Sequence, residues 1–309
     1  MSQMAFLFPG QGSQTVGMGK DFYESSSLAR EIFSRADESL GYSITDLCLE
    51  GPEADLKLTQ NTQPALLTVS TIAYELFGQV PQMAAGHSLG EYSALVAAGS
   101  ISFDEAVLLV HKRGKYMQEA VPVGVGAMAA VLGSSYEKVE EAVQSVRNGI
   151  VEIANWNSKE QIVIAGDESA VKEALSLLNP PRSVMLPVSA PFHCRLMESA
   201  EVKLSYNLNQ IEFKKLKFPV ITNVDAKIIL DGDQARDSLK RQVTRTVLWY
   251  NSMELMGREN IDLVVEVGTG KVLSGLTKRN AREWSKSPTV LNIEDMESLE
   301  KTKSVLSEL

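Results

Sequence analysis

The stretch VPQMAAGHSLGEYSALVAAG, Val80 to Gly99, decides the fold. Its centre, GHSLG at Gly86 to Gly90, is a G-x-S-x-G pentapeptide, the pattern of a nucleophile elbow in which a serine sits on a sharp strand-to-helix turn. Five residues alone do not decide, because a Gly/Ser turn is also a common structural device. The flanks add the context. Val80 to Ala85 is a short apolar approach interrupted by Pro81 and Gln82, and Glu91 to Ala98 reads as a helix stopped by Gly99. Side chains in place of Gly86 or Gly90 would crowd the turn. Ser88 is therefore the first candidate nucleophile.

Outward from the elbow, strand-like and helix-like segments alternate, which predicts an α/β fold with a parallel sheet. Ala5 to Phe8 reads as the first strand and Pro9 to Ser13 as the loop after it. Pro64 is expected to open a helix that stops at Gly78. Pro219 to Val224 and Ile261 to Val267 read as buried strands, with Val290 to Ile293 as a last short one. Between these lies a compact series with its own order. Ala127 to Leu132, Tyr136 to Val146, Ile150 to Ala154, Gln161 to Ala165, Ala170 to Leu178 and Val184 to Val188 run β-α-β-β-α-β, a split βαβ or ferredoxin-like unit. The prediction is an inserted small subdomain over residues 124–189, hinged at Pro122, Gly124 and Gly126 and at Pro187 and Pro191.

The 309 residues are 44% hydrophobic and 22% charged, ordinary for a globular protein with one large core or a core and a satellite. No apolar run approaches the roughly 20 residues of a membrane helix, and the first strand begins within a few residues without a basic leader. A cytoplasmic protein is expected. Cys48 and Cys194 lie far apart without metal-ligand spacing and read as reduced thiols. A net charge of -9 disfavours nucleic-acid binding. Lys271, Lys278, Arg279, Arg282 and Lys286 nevertheless cluster against the single acid Glu283, either as a solvated face or as a docking patch for an acidic partner.

A serine needs a base, and the chain has three histidines. His87 adjoins Ser88, where neighbouring side chains at a sharp turn diverge. His111 lies in a helix announced by the capping-box pair Ser102 and Glu105. His193 falls in the loop-like run SAPFHC, where Pro191 resists regular structure. Elimination favours His193, with a surface or core-lining histidine as the plainer alternative. Cys194 as nucleophile is disfavoured by its adjacency to that base.

The helix around His111 carries an apolar stripe of Ala106, Leu109, Val110 and Met117, and Arg113 falls on it. A guanidinium there either pairs internally or snorkels, or it forks a substrate carboxylate through two charge-assisted hydrogen bonds. The glycines of PGQGS, Pro9 to Ser13, fit neither dinucleotide nor P-loop spacing. They expose backbone N–H groups instead. An elbow enzyme takes one oxyanion donor from the residue after the serine, here Leu89, and another from a loop after a strand, for which Gln11 is the candidate.

Together these motifs resemble the malonyl-CoA:acyl carrier protein transacylases. The likeness runs over nearly the whole chain: FPGQGSQ at Phe8 to Gln14, TQPALL at Thr62 to Leu67, GHSLGEY at Gly86 to Tyr92, the Arg113 helix, PFH at Pro191 to His193 and VEVGTG at Val265 to Gly270. The resemblance implies an α/β-hydrolase-like core, residues 1–123 and 190–309, around the ferredoxin-like unit. It implies Ser88 as the acylated nucleophile, His193 as base, Gln11 and Leu89 as the oxyanion hole, and Arg113 as the malonyl-carboxylate anchor. It also implies a main-chain carbonyl at Gln242 orienting the histidine, Asn155 presented to the cleft, and Phe192 opposing a methyl branch. The implied reaction moves malonyl from malonyl-CoA to the phosphopantetheine thiol of acyl carrier protein through a malonyl-serine, in fatty-acid biosynthesis, with no cofactor or metal because the CoA thioester is a substrate. The alternatives are a serine thioesterase or acyl hydrolase, an acyltransferase serving polyketide synthesis, and a non-catalytic scaffold.

Overall fold

A computed structural model describes residues 3–122, 124–188 and 190–308. The chain opens with strand β1 (Met4–Phe8) and helices α1 (Lys20–Ser25), α2 (Ser27–Leu40), α3 (Ile44–Leu49), α4 (Glu53–Leu56) and α5 (Thr59–Phe77). Strand β2 (Met83–Gly86) leads into α6 (Leu89–Ala97) and α7 (Phe103–Glu119). Then come β3 (Gly126–Leu132), α8 (Tyr136–Ser145), β4 (Val151–Ser158), β5 (Gln161–Asp167), α9 (Glu168–Leu178) and β6 (Arg182–Met185). The rest comprises α10 (Glu198–Leu208), β7 (Val220–Ile221), β8 (Ile228–Ile229), α11 (Gly232–Gln242), α12 (Trp249–Arg258), β9 (Leu263–Val267), α13 (Val272–Asn280), β10 (Thr289–Ile293) and α14 (Met296–Glu308).

Two sheets result. The larger has the order β10-β9-β1-β2-β7-β8, parallel except for the edge hairpin of β7 with β8. Its central strands β1 and β9 are buried at every position because helices cover both faces, and they are apolar except for Glu266 of β9, which accepts from Leu273 and Ser274 N–H at the start of α13. Phe8 of β1 pairs with Gly86 of β2, so the loops bearing Gln11 and Ser88 leave the same end of adjacent strands. The carboxyl ends of parallel strands are where such sheets place their ligands.

The smaller sheet has the order β4-β5-β3-β6 and is antiparallel. Alternation gives it two apolar faces. Ala129, Val131, Ile153, Ile162 and Ile164 pack beneath α8 and α9, while Met128, Ala130, Ala154, Val163 and Ala165 join the main core. Backbone bonds between Trp156 and Val247 and between Val247 and Ala154, both 2.9 Å, tie β4 to the larger body. The expected subdomain boundaries at residues 123 and 189 lie outside the described residues.

Several elements differ from the sequence reading. The helix expected to open at Pro64 begins at Thr59, with Pro64 inside it. Proline in a helix leaves the carbonyl four residues earlier without its N–H partner; here that carbonyl, on Gln60, lies 2.9 Å from His111 Nδ1. The strand expected over Pro219 to Val224 shrinks to Val220–Ile221, because Thr222 closes the edge hairpin by donating its N–H to the Lys227 carbonyl at 3.0 Å and Asn223 turns to the elbow. The strand expected at Val184 to Val188 is shifted to Arg182–Met185, and β4 runs on to Ser158.

Candidate active site

Ser88 joins β2 to α6 with φ 52° and ψ −105°, a conformation an L-residue adopts only under constraint. The constraint is visible on both sides. A Cβ on Gly86 would lie 1.9 Å from the Gly90 carbonyl carbon, and one on Gly90 would lie 2.0 Å from the Phe8 oxygen, so the turn closes only with glycine at both places. Asn223 braces it, accepting from Ser88 N–H at 2.7 Å and donating to the Gly86 carbonyl at 2.7 Å. Leu89 opens α6, so its N–H is a first-turn donor without an intrahelical acceptor.

Ser88 Oγ lies 2.7 Å from His193 Nε2. His193 Nδ1 lies 2.8 Å from the Gln242 carbonyl, which can only accept, so Nδ1 carries the proton and Nε2 presents its lone pair to the serine. Gln242 is the last residue of α11, where carbonyls lack intrahelical donors and the helix dipole is negative. A helix end here does the orienting that a carboxylate does elsewhere. Burial, then the charge of Arg113, push the His193 pKa down from 6.5 to about 3. The unfolded chain therefore protonates first as pH falls. The stability that His193 contributes is complete above pH 6.5 and is lost towards pH 3. The unfolding free energy of wild type, from urea titrations, should fall by about 2 kcal/mol more between pH 7 and 5 than that of His193→Ala; equal declines would contradict this origin.

Arg113 leaves α7 and is 1% exposed. Nη1 donates to Gln63 Oε1 at 2.7 Å, and Nη2 to Gln242 Oε1 at 2.9 Å and to Ser88 Oγ at 3.0 Å. The Tyr92 ring lies 5.3 Å from its guanidinium carbon. All three acceptors are neutral oxygens, and Nε has no acceptor among the described residues. A buried guanidinium usually has a carboxylate. Here it points at the serine oxygen instead.

These groups face a cavity of about 120 Å³. Its lining includes Gln11, Ser88, Leu89, Arg113, Asn155, Phe192 and His193, every predicted site residue except Gln242, which stands behind Arg113 and His193. Gln11 Nε2 donates to Thr59 Oγ1 at 3.3 Å.

The acyl transferase domain family matches residues 5–294. A malonyl CoA-acyl carrier protein transacylase of Escherichia coli is 47% identical over 90% of this chain and 93% of its own. The chain belongs to the malonyl CoA-acyl carrier protein transacylase family. Solved relatives agree in fold: an acyl carrier protein S-malonyltransferase from Vibrio cholerae superposes with a TM-score of 0.94 at 40% identity, covering 97% of this chain and 100% of that one. A malonyl-transacylase in complex with its type II PKS acyl-carrier protein gives 0.95 at 40% identity over 98% and 100%.

In this member of the transacylase family, the sequence reading missed Gln63, Glu91, Asn223 and Ser238. Glu91 is fully buried in the first turn of α6 and accepts from Asn223 N–H at 3.0 Å, Gln242 Nε2 at 2.8 Å and Ser238 Oγ at 2.9 Å. A carboxylate inside the apolar run LGEYSALV was the available signal. For Asn223 the signal was a polar residue just past the carboxyl end of a buried strand.

The remaining candidates are engaged by other partners. His87 lines the same cavity, but its Nε2 lies 2.8 Å from Asn157 Oδ1 and its ring packs on Trp249. Cys194 Sγ donates to the Pro191 carbonyl, and burial pushes its thiol up to about 12. Both cysteines are free and buried. Within the basic stretch, Lys271 pairs with Glu294 at 2.7 Å and Lys286 with Asp262 at 2.6 Å, while Arg279 binds Gln161 and Lys278 and Arg282 are exposed. No described helix is long and apolar enough to cross a membrane.

Proposed function

We propose that this protein transfers malonyl from malonyl-CoA to the phosphopantetheine thiol of acyl carrier protein, for fatty-acid biosynthesis, through a malonyl ester on Ser88. One observation carries the reading: Arg113, buried and bonded to neutral oxygens among the described residues, sits 3.0 Å from the candidate nucleophile. Such a site favours an acyl group that brings its own carboxylate.

In the proposed sequence His193 Nε2 removes the Ser88 proton as Oγ attacks the thioester carbonyl. The N–H groups of Gln11 and Leu89 hold the tetrahedral oxyanion. Collapse breaks the C–S bond, and the CoA sulfur leaves with the proton from His193. The carrier thiol then gives its proton to His193 and attacks the malonyl ester, and Ser88 regains a proton on collapse. Asn155 lines the acyl cavity, and the bulk of Phe192 opposes a methyl branch, a discrimination worth about 1–3 kcal/mol. Every step uses protein groups, with the CoA thioester as substrate and no cofactor.

We assign residues 124–189 to a ferredoxin-like subdomain and residues 1–123 with 190–309 to an α/β-hydrolase-like core; the β6-β3-β5-β4 strand order supports the first assignment and the parallel sheet with its elbow the second. Lys271, Lys278, Arg279 and Arg282 are the proposed docking residues for the carrier, with Lys278 and Arg282 the most available. A cytoplasmic location fits the two free cysteines.

The test is intact mass after malonyl-CoA, then after carrier is added. One malonyl adduct that survives without acceptor and moves to the holo carrier is expected. Rapid release of free malonate whether or not carrier is present would make the protein a thioesterase. Polyketide supply is the second reading, favoured by the relative bound to a type II PKS carrier; side-by-side rates with fatty-acid and polyketide carriers separate the two.

A further inference from the structure

Three polar side chains beneath the cavity form a line that neither the elbow nor the base accounts for. Glu91 Oε2 accepts from Gln242 Nε2 at 2.8 Å, and Gln242 Oε1 accepts from Arg113 Nη2 at 2.9 Å. All three residues are buried, and Glu91 and Arg113 have no direct contact in this line. A glutamine amide has two chemically opposite ends, and its neighbours determine which way it points. At one end stand Glu91 Oε2 and the Ser88 carbonyl, the latter 2.9 Å from Nε2; at the other stands a guanidinium that can only donate. With the amide so aimed, Oε1 holds Nη2 beside Ser88 Oγ, while the main-chain carbonyl of the same residue holds His193.

We infer that Glu91 is a positioning residue for acyl-group selection: it fixes the side-chain amide of Gln242 so that Gln242 aims the Arg113 guanidinium at the acyl carboxylate. The inference rests on the malonyl reading of Arg113. The Glu91 backbone N–H donates to the Ser88 carbonyl at 3.1 Å, but its carboxylate is engaged by Asn223, Ser238 and Gln242 rather than by the proposed reacting atoms. Its reach matters more than its charge, because a carboxylate withdrawn by one methylene no longer meets Nε2, whereas a neutral amide of the same length still can. In Glu91→Gln the new Oε1 can take the place of Oε2, accepting from Gln242 and from Asn223 N–H, and its NH₂ can donate to Ser238 Oγ, which then accepts.

Two variants of the full chain form a reciprocal test: Glu91→Asp keeps the charge and loses the reach, and Glu91→Gln keeps the reach and loses the charge. The readout is the ratio of kcat/KM for malonyl-CoA to that for acetyl-CoA in transfer to holo carrier, with melting temperatures recorded to confirm folding. Glu91→Asp should lower the ratio at least tenfold through the malonyl KM, and Glu91→Gln should stay within about threefold of wild type, the conservative rescue. Equal losses for both acyl groups would reduce Glu91 to a structural residue. A wild-type ratio in Glu91→Asp, or a loss confined to Glu91→Gln, would overturn the positioning role in favour of none or of a counter-charge. Should Glu91→Asp not fold, Glu91→Ala, which also removes the reach, is held to the same tenfold fall in the ratio, and a wild-type ratio there would overturn the positioning role. A wild-type protein that forms no malonyl adduct would instead refute the malonyl reading on which the inference stands.

Discussion

Ser88→Ala should abolish the malonyl adduct in intact-mass measurements and lower transfer to carrier by on the order of a million-fold, the scale seen when a nucleophile is removed from a working serine site. The size follows from the absence of a stand-in. Cys194 is held against the Pro191 carbonyl with its thiol pushed up to about 12, so almost no thiolate exists at neutral pH. His87 is turned to Asn157. What remains is direct attack of the carrier thiol on malonyl-CoA in a cavity that still offers two N–H donors and the Arg113 fork, hence a residual rate above water. The variant should fold, because the bonds that brace the elbow come from backbone atoms of Ser88 to Asn223 and Gln242. An adduct that persists in Ser88→Ala would move the chemistry to another residue and sink the proposed sequence.

The parts of this site that are legible in the sequence are those fixed by short-range sterics. Gly86 and Gly90 announce the elbow because each closes against a backbone atom that no Cβ can share, and β3, β4 and β5 announce themselves as short apolar runs, the last two joined by a tight turn at Lys159 and Glu160. Pro64 misled because its local rule was met from a distance: His111 lies 51 residues on from Gln60, and no window of sequence shows that the freed carbonyl has a partner. Gln242 was legible only through family resemblance, and then only for its carbonyl. Its side chain joins residues 151 and 129 positions away, Glu91 and Arg113, through an amide whose orientation depends on all of them at once. Likewise the stripe on α7 shows that Arg113 points inward but leaves open what it meets there. Propensity and periodicity record which way a residue faces; the identity of the facing group is set by topology.

For Arg113→Ala the expected result is a change of substrate as well as a loss of rate. Two charge-assisted hydrogen bonds to a malonyl carboxylate in a buried cavity are together worth about 3–4 kcal/mol, so kcat/KM for malonyl-CoA should fall roughly 10²- to 10³-fold. Acetyl-CoA has no carboxylate to lose. Its transfer depends on Ser88, His193 and the N–H donors, all of which remain, so its kcat/KM should hold within about threefold and the preference should narrow or invert. The substitution also leaves Gln63 Oε1 and Gln242 Oε1 without donors and Glu91 without the nearby charge that favours its ionised form, so some stability is lost. The acyl ratio separates the two effects, because a weakened fold lowers both substrates together. Arg113→Lys gives the intermediate case: the charge stays but the planar fork is gone, so malonyl transfer should lie between wild type and alanine. An alanine variant that keeps the full malonyl preference would show that the carboxylate is recognised elsewhere in the cavity. Asn155 would then be the residue to test, as the amide that β4 places in the same lining.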